Sequence, residues 1–317
     1  LPSSLASVFY VDPRNAQALM AESDHILGVV GFGAGRPDCL GFTGPFVAAP
    51  LLPASGSGML EIWTTPSPVL SHRLGAVTGS CGSGLAFGAV TLDESGHASL
   101  EAAVEAAYLS IFDFLAETGF PAPLRFWNYL AAITGDERGI ERYRRFNIGR
   151  HRAFAARLRQ AAPPAASGVG GHKGASVIYF LAAGTPAAPM ENPRQISAFD
   201  YPPVYGPRSP SFSRAAVWGK TLFISGTASI VGHETRHVGD LDGQIAETIN
   251  NLQALIAAAE VPAAGKWAVK IYLHDPAFRA TVEPAVTGLF GVDSQQLYLH
   301  GEICRKDLLV EVEAVLF

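Results

Sequence analysis

Tyr298-Leu-His-Gly-Glu-Ile-Cys-Arg-Lys-Asp-Leu-Leu-Val-Glu-Val-Glu-Ala-Val-Leu-Phe317 sets a polar cluster between two segments that read as buried strands. Val310, Val312 and Ala314 alternate with Glu311 and Glu313, the two-residue period of a strand with one apolar face. The turn before them carries Cys304 and Arg305, so a thiol, a fixed cation and a carboxyl group fall within one β-turn-β unit. If these groups face inward, they suit an acidic small molecule that must receive a proton. The pattern fits a plainer arrangement equally well, in which Glu311 and Glu313 lie on a solvated face and Arg305 pairs with one of them.

Two stretches, one in each half, share a helix-then-strand plan, which reads as an internal duplication or as a coincidental αβα likeness. Val104, Ala107, Tyr108, Ile111, Phe114 and Leu115 recur at helical spacing, followed by Pro121 and the strand-like Phe126-Trp-Asn-Tyr-Leu130. In the other half Ile245, Thr248, Ile249, Leu252, Leu255 and Ile256 do the same, followed by Pro262 and Val269-Lys-Ile-Tyr-Leu273. A second helix is expected in each copy, from Ile140 to about Arg159 and from Pro276 to about Phe290. Between the copies, Ala161 to Gly174 reads as a loop and Ala175 to Ala182 as a strand. The prolines of Pro189 to Pro210 forbid a helix; with Arg194, Tyr201, Tyr205 and Arg208 along it, this segment is either an inter-domain strap or the lip of a pocket.

Bulk properties narrow the function class. A chain of 317 residues, 48% hydrophobic and only 16% charged, has material for two generous cores. A net charge of −5 offers no basic field for nucleic acid and no polybasic segment for a membrane surface, so an anionic ligand must be drawn by local arginines. Cys39, Cys81 and Cys304 form no CxxC pair, which argues against a disulfide scaffold or structural zinc and favours a reducing cytoplasm. The opening residues lack a basic n-region and no run of about 18 apolar residues occurs, so neither a signal peptide nor a membrane span is expected. An opening on Leu1 implies only a trimmed end.

Several motifs carry less than their letters promise. His233-Glu-Thr-Arg-His237 matches HExxH, yet it follows the strand-like Leu222 to Val231 and precedes Gly239, so a hairpin tip is expected and a zinc site is not. Gly31-Phe-Gly-Ala-Gly35 is followed by Arg36-Pro37 and opens no amphipathic helix. Gly79-Ser-Cys-Gly-Ser-Gly84 lacks the spacing of a nucleophile elbow, and Gly168-Val-Gly-Gly-His-Lys-Gly174 that of a phosphate loop; both read as turns. Tyr143-Arg-Arg-Phe-Asn-Ile-Gly-Arg-His-Arg152 has an apolar and a cationic side; a solvated face accounts for Arg142, Arg144 and Arg152, while Arg150, after Gly149, is placed to reach a neighbouring domain.

From Phe212 to Phe317 the sequence resembles the reactive-intermediate deaminase (Rid, YjgF-like) fold, in Phe223-Ile-Ser-Gly-Thr227, the Gly239-Asp240 turn, Val269 to Leu273 and the closing Cys304-Arg305…Val310-Glu-Val-Glu-Ala314. Over most of the chain, Tyr143 to Arg150, Asn192-Pro-Arg-Gln195, Tyr205-Gly-Pro-Arg-Ser-Pro210 and Gly301 to Glu311 together are similar to the chorismatases. The resemblance implies an α+β protein of two Rid/YjgF-like mixed-sheet domains packed as a pseudo-oligomer, a degenerate one over 1–188 and a catalytic one over 189–317. It implies a monomeric, cofactor-free and metal-free enzyme that removes the enolpyruvyl group of chorismate as pyruvate. In it, Glu311 is the acid that protonates the vinyl ether, with burial favouring the protonated form and Arg305 opposing it. Arg305, Arg150 and Arg208 are the expected carboxylate ligands, and Tyr205, Gln195, Thr227 and Tyr298 the expected wall residues. Cys304 goes with the aromatising branch, which gives 3-hydroxybenzoate through an arene oxide; its alternative is hydrolysis to a dihydrodiol, or a packing role for the thiol. Two rival readings are an imine or enamine hydrolase and a non-catalytic sensor of aromatic acids.

Overall fold

The computed structural model describes residues 6–16, 23–36, 42–158, 161–171, 174–261 and 265–317. Pro37, Cys39, Arg159, His172, Lys173 and Pro262 of the segments above lie outside the described residues. The first half runs β1 (Ser7–Val11), β2 (Ile26–Phe32), β3 (Phe46–Ala49), β4 (Leu52–Pro53), β5 (Met59–Thr64), β6 (Leu70–Leu74), β7 (Val77–Gly82), β8 (Leu85–Thr91), α1 (Leu100–Thr118), β9 (Ala122–Ala131), the β10/β11 ladder (Asp136–Glu137, Ile140–Glu141), α2 (Arg142–Arg157), β12 (Ala165–Gly171) and β13 (Val177–Ala183). The second runs β14 (Ala188–Met190), β15 (Ala215–Trp218), β16 (Thr221–Ala228), the β17/β18 hairpin (Ile230–Val231, Glu234–Thr235), α3 (Leu241–Ala258), β19 (Trp267–Leu273), α4 (Arg279–Phe290), β20 (Gln295–His300), β21 (Glu302–Ile303) and β22 (Val310–Leu316).

The duplication read from the sequence is exact in topology. One seven-stranded sheet has the order β21-β12-β9-β13-β8-β7-β6, the other β4-β20-β19-β22-β16-β15-β14. Position by position, β9/β12 and β19/β20 are parallel, and every other matched pair is antiparallel. The edge strands are exchanged: β21 of the second half borders the first sheet, and β4 of the first half borders the second. A third sheet, β1-β5-β2-β3, repeats the inner four-strand pattern β16-β22-β19-β20 in both chain order and direction.

The ends of α1 and the start of α3 are set by capping residues. In α1, Ser99 caps the first turn through Ala102 N–H, and Gly119, at φ +78°, takes the left-handed position that ends it. Asp240 caps α3 by accepting from Gly243 N–H. The helices cover the outer faces of the two large sheets, while the inner faces of all three sheets share one core that includes Leu27, Trp63, Trp127, Leu181, Phe223 and Val315.

Three expectations are corrected. The segment Ala161 to Gly174 holds β12, for which Ala and Gly suffice because both faces of this strand are crowded: a Cβ on Gly170 or Gly171 would strike Ile133 or Pro50. Glu311 and Glu313 lie on no solvated face; all of β22 is buried, because its second face meets the other sheets and not water. The solvated face expected of Arg142, Arg144 and Arg152 holds for the exposed Arg152 only; Arg144 is half-buried, and Arg142 is half-buried and paired with Glu94 and Glu137. His233 to His237 forms the expected hairpin, and the Pro189 to Pro210 stretch contains two short 3-10 turns and no α-helix.

Candidate active site

The inner core has layers that the triplication makes comparable. In each sheet one inward position is paired with an aromatic residue: Glu311 with Tyr272, Val177 with Tyr129, and Met59 with Phe32. The three rings neighbour one another, with centroids 6.0 Å (Phe32–Tyr129) and 6.2 Å (Tyr129–Tyr272) apart. Of these three equivalent positions only one bears an acid. That position, Glu311, opens on the cavity beside β22.

That cavity has a volume of about 400 Å³, within the range of about 300–1,000 Å³ usual for small-molecule sites. Its floor is Glu311 with Gly226 and Ala228 of β16, and one wall is Ala166 to Gly168 of β12. Tyr143, Arg144 and Arg150 of α2 form a second wall; Tyr201, Tyr205 and Arg214 form the lip, and Cys304 to Asp307 close the remaining side. The stretch from Pro189 to Pro210 is thus a pocket lip.

Glu311 is buried at 4% exposure. Burial first, then the neighbouring Glu313 charge, raises its carboxyl to about 8, against the pull of Arg125 and Arg214. Room for this carboxyl depends on Gly226, since a Cβ there would stand 2.1 Å from Glu311 Oε1. The register of β16 against β22 shifts between Ile224 and Thr227, which puts Gly226 at the bulge.

Around this acid the cavity presents cations. Arg214 is buried; one of its terminal nitrogens donates to Tyr201 Oη (2.7 Å) and to Ile196 O (2.9 Å), while its Nε has no acceptor among the described residues. Arg150 likewise donates to Asn147 Oδ1 (3.1 Å) and leaves its buried Nε without an acceptor. Arg305 lies 4.2 Å over the Tyr205 ring and donates to His233 O (2.8 Å), which aims the guanidinium along the lip. Buried guanidinium nitrogens without acceptors favour a ligand with carboxylates. The Cys304 thiol, pushed up to about 12 by burial and then by Glu311, stays neutral.

Of the residues expected from sequence, Glu311, Cys304, Arg305, Arg150 and Tyr205 come together at this cavity, and four do not line it. Thr227 turns to the other face of β16 and donates to Ser225 O; Gln195 braces Ile230 through its carbonyl from behind the wall. Tyr298 packs in the helix-side core, its hydroxyl bonded to Gln296. Arg208 is exposed at the surface. Sequence reasoning overlooked Arg214 and Ser167, and it named Tyr201 on a possible pocket lip and Tyr143 on the arginine-rich helix without giving either a site role. For Arg214 the signal was strand parity, since it shares a face with the inward Ala216; for Ser167, the loop assignment of β12 hid it.

The comparisons with known proteins agree with this geometry. A family model described as "Chorismatase FkbO/Hyg5-like, N-terminal" matches residues 61–182. A 3-hydroxybenzoate synthase of Streptomyces hygroscopicus is 37% identical over 233 residues, spanning 67% of this chain and 68% of that protein. A chorismatase of the same species is 33% identical over 308 residues, spanning 92% and 89%. A solved chorismatase crystal structure is 29% identical and covers 98% of both chains with a TM-score of 0.87.

Proposed function

This chain belongs to the chorismatase family, and on that premise we propose that it converts chorismate to pyruvate and 3-hydroxybenzoate. The observation that carries the reading is a single buried carboxyl, raised toward neutrality, that opens into a cavity lined by Arg150, Arg214 and Arg305. Chorismate has two carboxylates, and the guanidinium groups hold them with the vinyl ether over Glu311. Glu311 gives its proton to the methylene carbon, forming an oxocarbenium ion. The substrate's own 4-hydroxyl oxygen then closes on C3 as the C3–O bond to the side chain breaks and pyruvate leaves. The hydroxyl proton returns to Glu311. The arene oxide opens to the phenol, so chorismate equals the sum of the two products and no water is consumed.

Cys304 supports the aromatising branch by its position: a small neutral thiol against Glu311 adds no second base of its own to activate water. Cys304→Ala is expected to shift the product ratio from hydroxybenzoate toward the dihydrodiol, read by chromatography; an unchanged ratio at normal rate makes the thiol a packing residue. Because the acid must carry its proton, kcat/KM is expected to stay level below the Glu311 value of about 8 and to fall about tenfold per pH unit above it. A flat profile across that range removes Glu311 from the acid role.

The test of the function is chromatography of chorismate incubated with the purified protein, alongside a pyruvate assay. Equal pyruvate and 3-hydroxybenzoate support the proposal; pyruvate with a non-aromatic diol moves the enzyme to the hydrolytic branch, and no pyruvate overturns it. In this reading residues 189–317 supply the acid and 1–188 supply β12 and α2 as the facing wall. The same reading makes the enzyme a monomer, since three sheets already close on one core within one chain, and the free thiols of Cys81 and Cys304 favour a reducing cytoplasm. No helix among the described residues is long and apolar enough to cross a membrane.

A further inference from the structure

One group of buried charges lies outside the cavity and has no part in the steps above. Lys270 Nζ stands 2.8 Å from Glu61 Oε2 and 3.0 Å from Glu313 Oε1, and Arg125 donates to Glu313 Oε2 at 2.8 Å. All four side chains are almost fully buried. Two cations and two carboxylates make the cluster neutral. Ser167 links it to the cavity: it donates to Glu313 Oε2, accepts from Arg125 (2.6 Å), and accepts from the backbone N–H of Gly226 (2.9 Å). Gly226 is the residue against which the Glu311 carboxyl rests.

From this geometry we infer that Glu313 is a positioning residue: it cancels the charge of Arg125 beside Glu311 and, through Ser167, fixes the Gly226 backbone, so that Glu311 keeps its proton and its place. The inference rests on Glu311 being the acid. The groups facing Glu311 are Glu313 on its own strand, Tyr272 opposite it on β19, Arg125 on β9, Arg214 before β15, Cys304 on the closing turn and Tyr143 on α2. Arg150 and Arg305 also line the cavity, but the fixed cations that pull on the Glu311 carboxyl are Arg125 and Arg214. Arg214 is turned toward Tyr201, so Arg125 is the one that Glu313 must neutralise. Without Glu313 the cluster carries one net positive charge two residues from the acid, which favours ionised Glu311.

The test is the alkaline limb of kcat/KM in Glu313→Gln, an isosteric change. The limb is expected to move down by about one pH unit or more, giving a loss of about tenfold near pH 8 and near-normal activity at about pH 6. A purely structural role would lower activity evenly at all pH values and leave the limb in place, which overturns the inference. If Glu313→Gln does not fold, Glu61→Gln decides: it takes one negative charge from the far side of the cluster, touches no cavity residue, and is expected to move the limb the same way by a smaller amount, whereas an unmoved limb overturns the inference. Glu311→Gln separates the two layers of the account. Turnover surviving in Glu311→Gln sinks the acid reading, while an inactive Glu311→Gln with unmoved limbs in the cluster variants sinks this inference alone.

Discussion

Glu311→Gln is expected to lower kcat by about 10²- to 10⁴-fold while leaving KM within a few-fold of the parent, because an amide keeps the shape of the side chain and cannot protonate carbon. The cations that hold the substrate, Arg150, Arg214 and Arg305, are untouched by the change. The fold should not suffer. Burial already disfavours the ionised carboxyl, so a neutral amide at this position costs the folded state nothing in charge. Steady-state kinetics by pyruvate release, with thermal unfolding beside it, checks both halves of the expectation. A variant that turns over normally rules out Glu311 as the acid, and a variant that loses binding and turnover together makes it a substrate ligand.

Lys270→Met is expected to be the most damaging single change to stability, at about 3–5 kcal/mol, since it strands two buried carboxylates, Glu313 and Glu61, beside one remaining cation. Burial alone would lower the Lys270 amine, yet Glu313 and Glu61 outweigh it and hold its value above the ordinary one. For Glu313, burial would raise the carboxyl, and Lys270 with Arg125 and the Ser167 hydrogen bond more than reverse this. The sign of the pH dependence follows. A depressed folded-state value contributes stability above the ordinary carboxylate range and loses it as pH falls through that range and below. The gap between parent and Lys270→Met should therefore be widest near neutral pH and narrow toward acid. Denaturant unfolding at several pH values measures it; a gap that is constant with pH assigns the loss to packing and not to charge.

The repeated αβ unit was legible because helices announce themselves by period: Val104 to Leu115 and Ile245 to Ile256 each carry a full apolar stripe, and the structure places α1 and α3 over them. The third sheet was not legible, because no stretch between Ser7 and Thr64 carries an apolar stripe like those of α1 and α3. β12 escaped for another reason. Ala165 to Gly171 has the composition of a loop, and only the close approach of Tyr143, Ile133 and Pro50 explains why small residues build a strand there. At the site, the residues on the closing turn and strand, Cys304, Arg305 and Glu311, were found because polar groups broke an apolar pattern. Arg214, Tyr201 and Ser167 come from three separate segments and meet only in the fold. The alternation of Glu311 with Val310 and Val312 was read correctly as two faces, but whether the second face meets water or other sheets depends on Trp63, Trp127 and Tyr179, far away in sequence.

The crystal structure of Glu311→Gln with chorismate bound tests the central claim most directly. The account predicts the methylene carbon of the enolpyruvyl group within about 3.5 Å of the residue 311 side chain, with the substrate carboxylates on guanidinium groups among Arg150, Arg214 and Arg305. Chorismate bound elsewhere, or in this cavity with its vinyl ether turned away from residue 311, would contradict it.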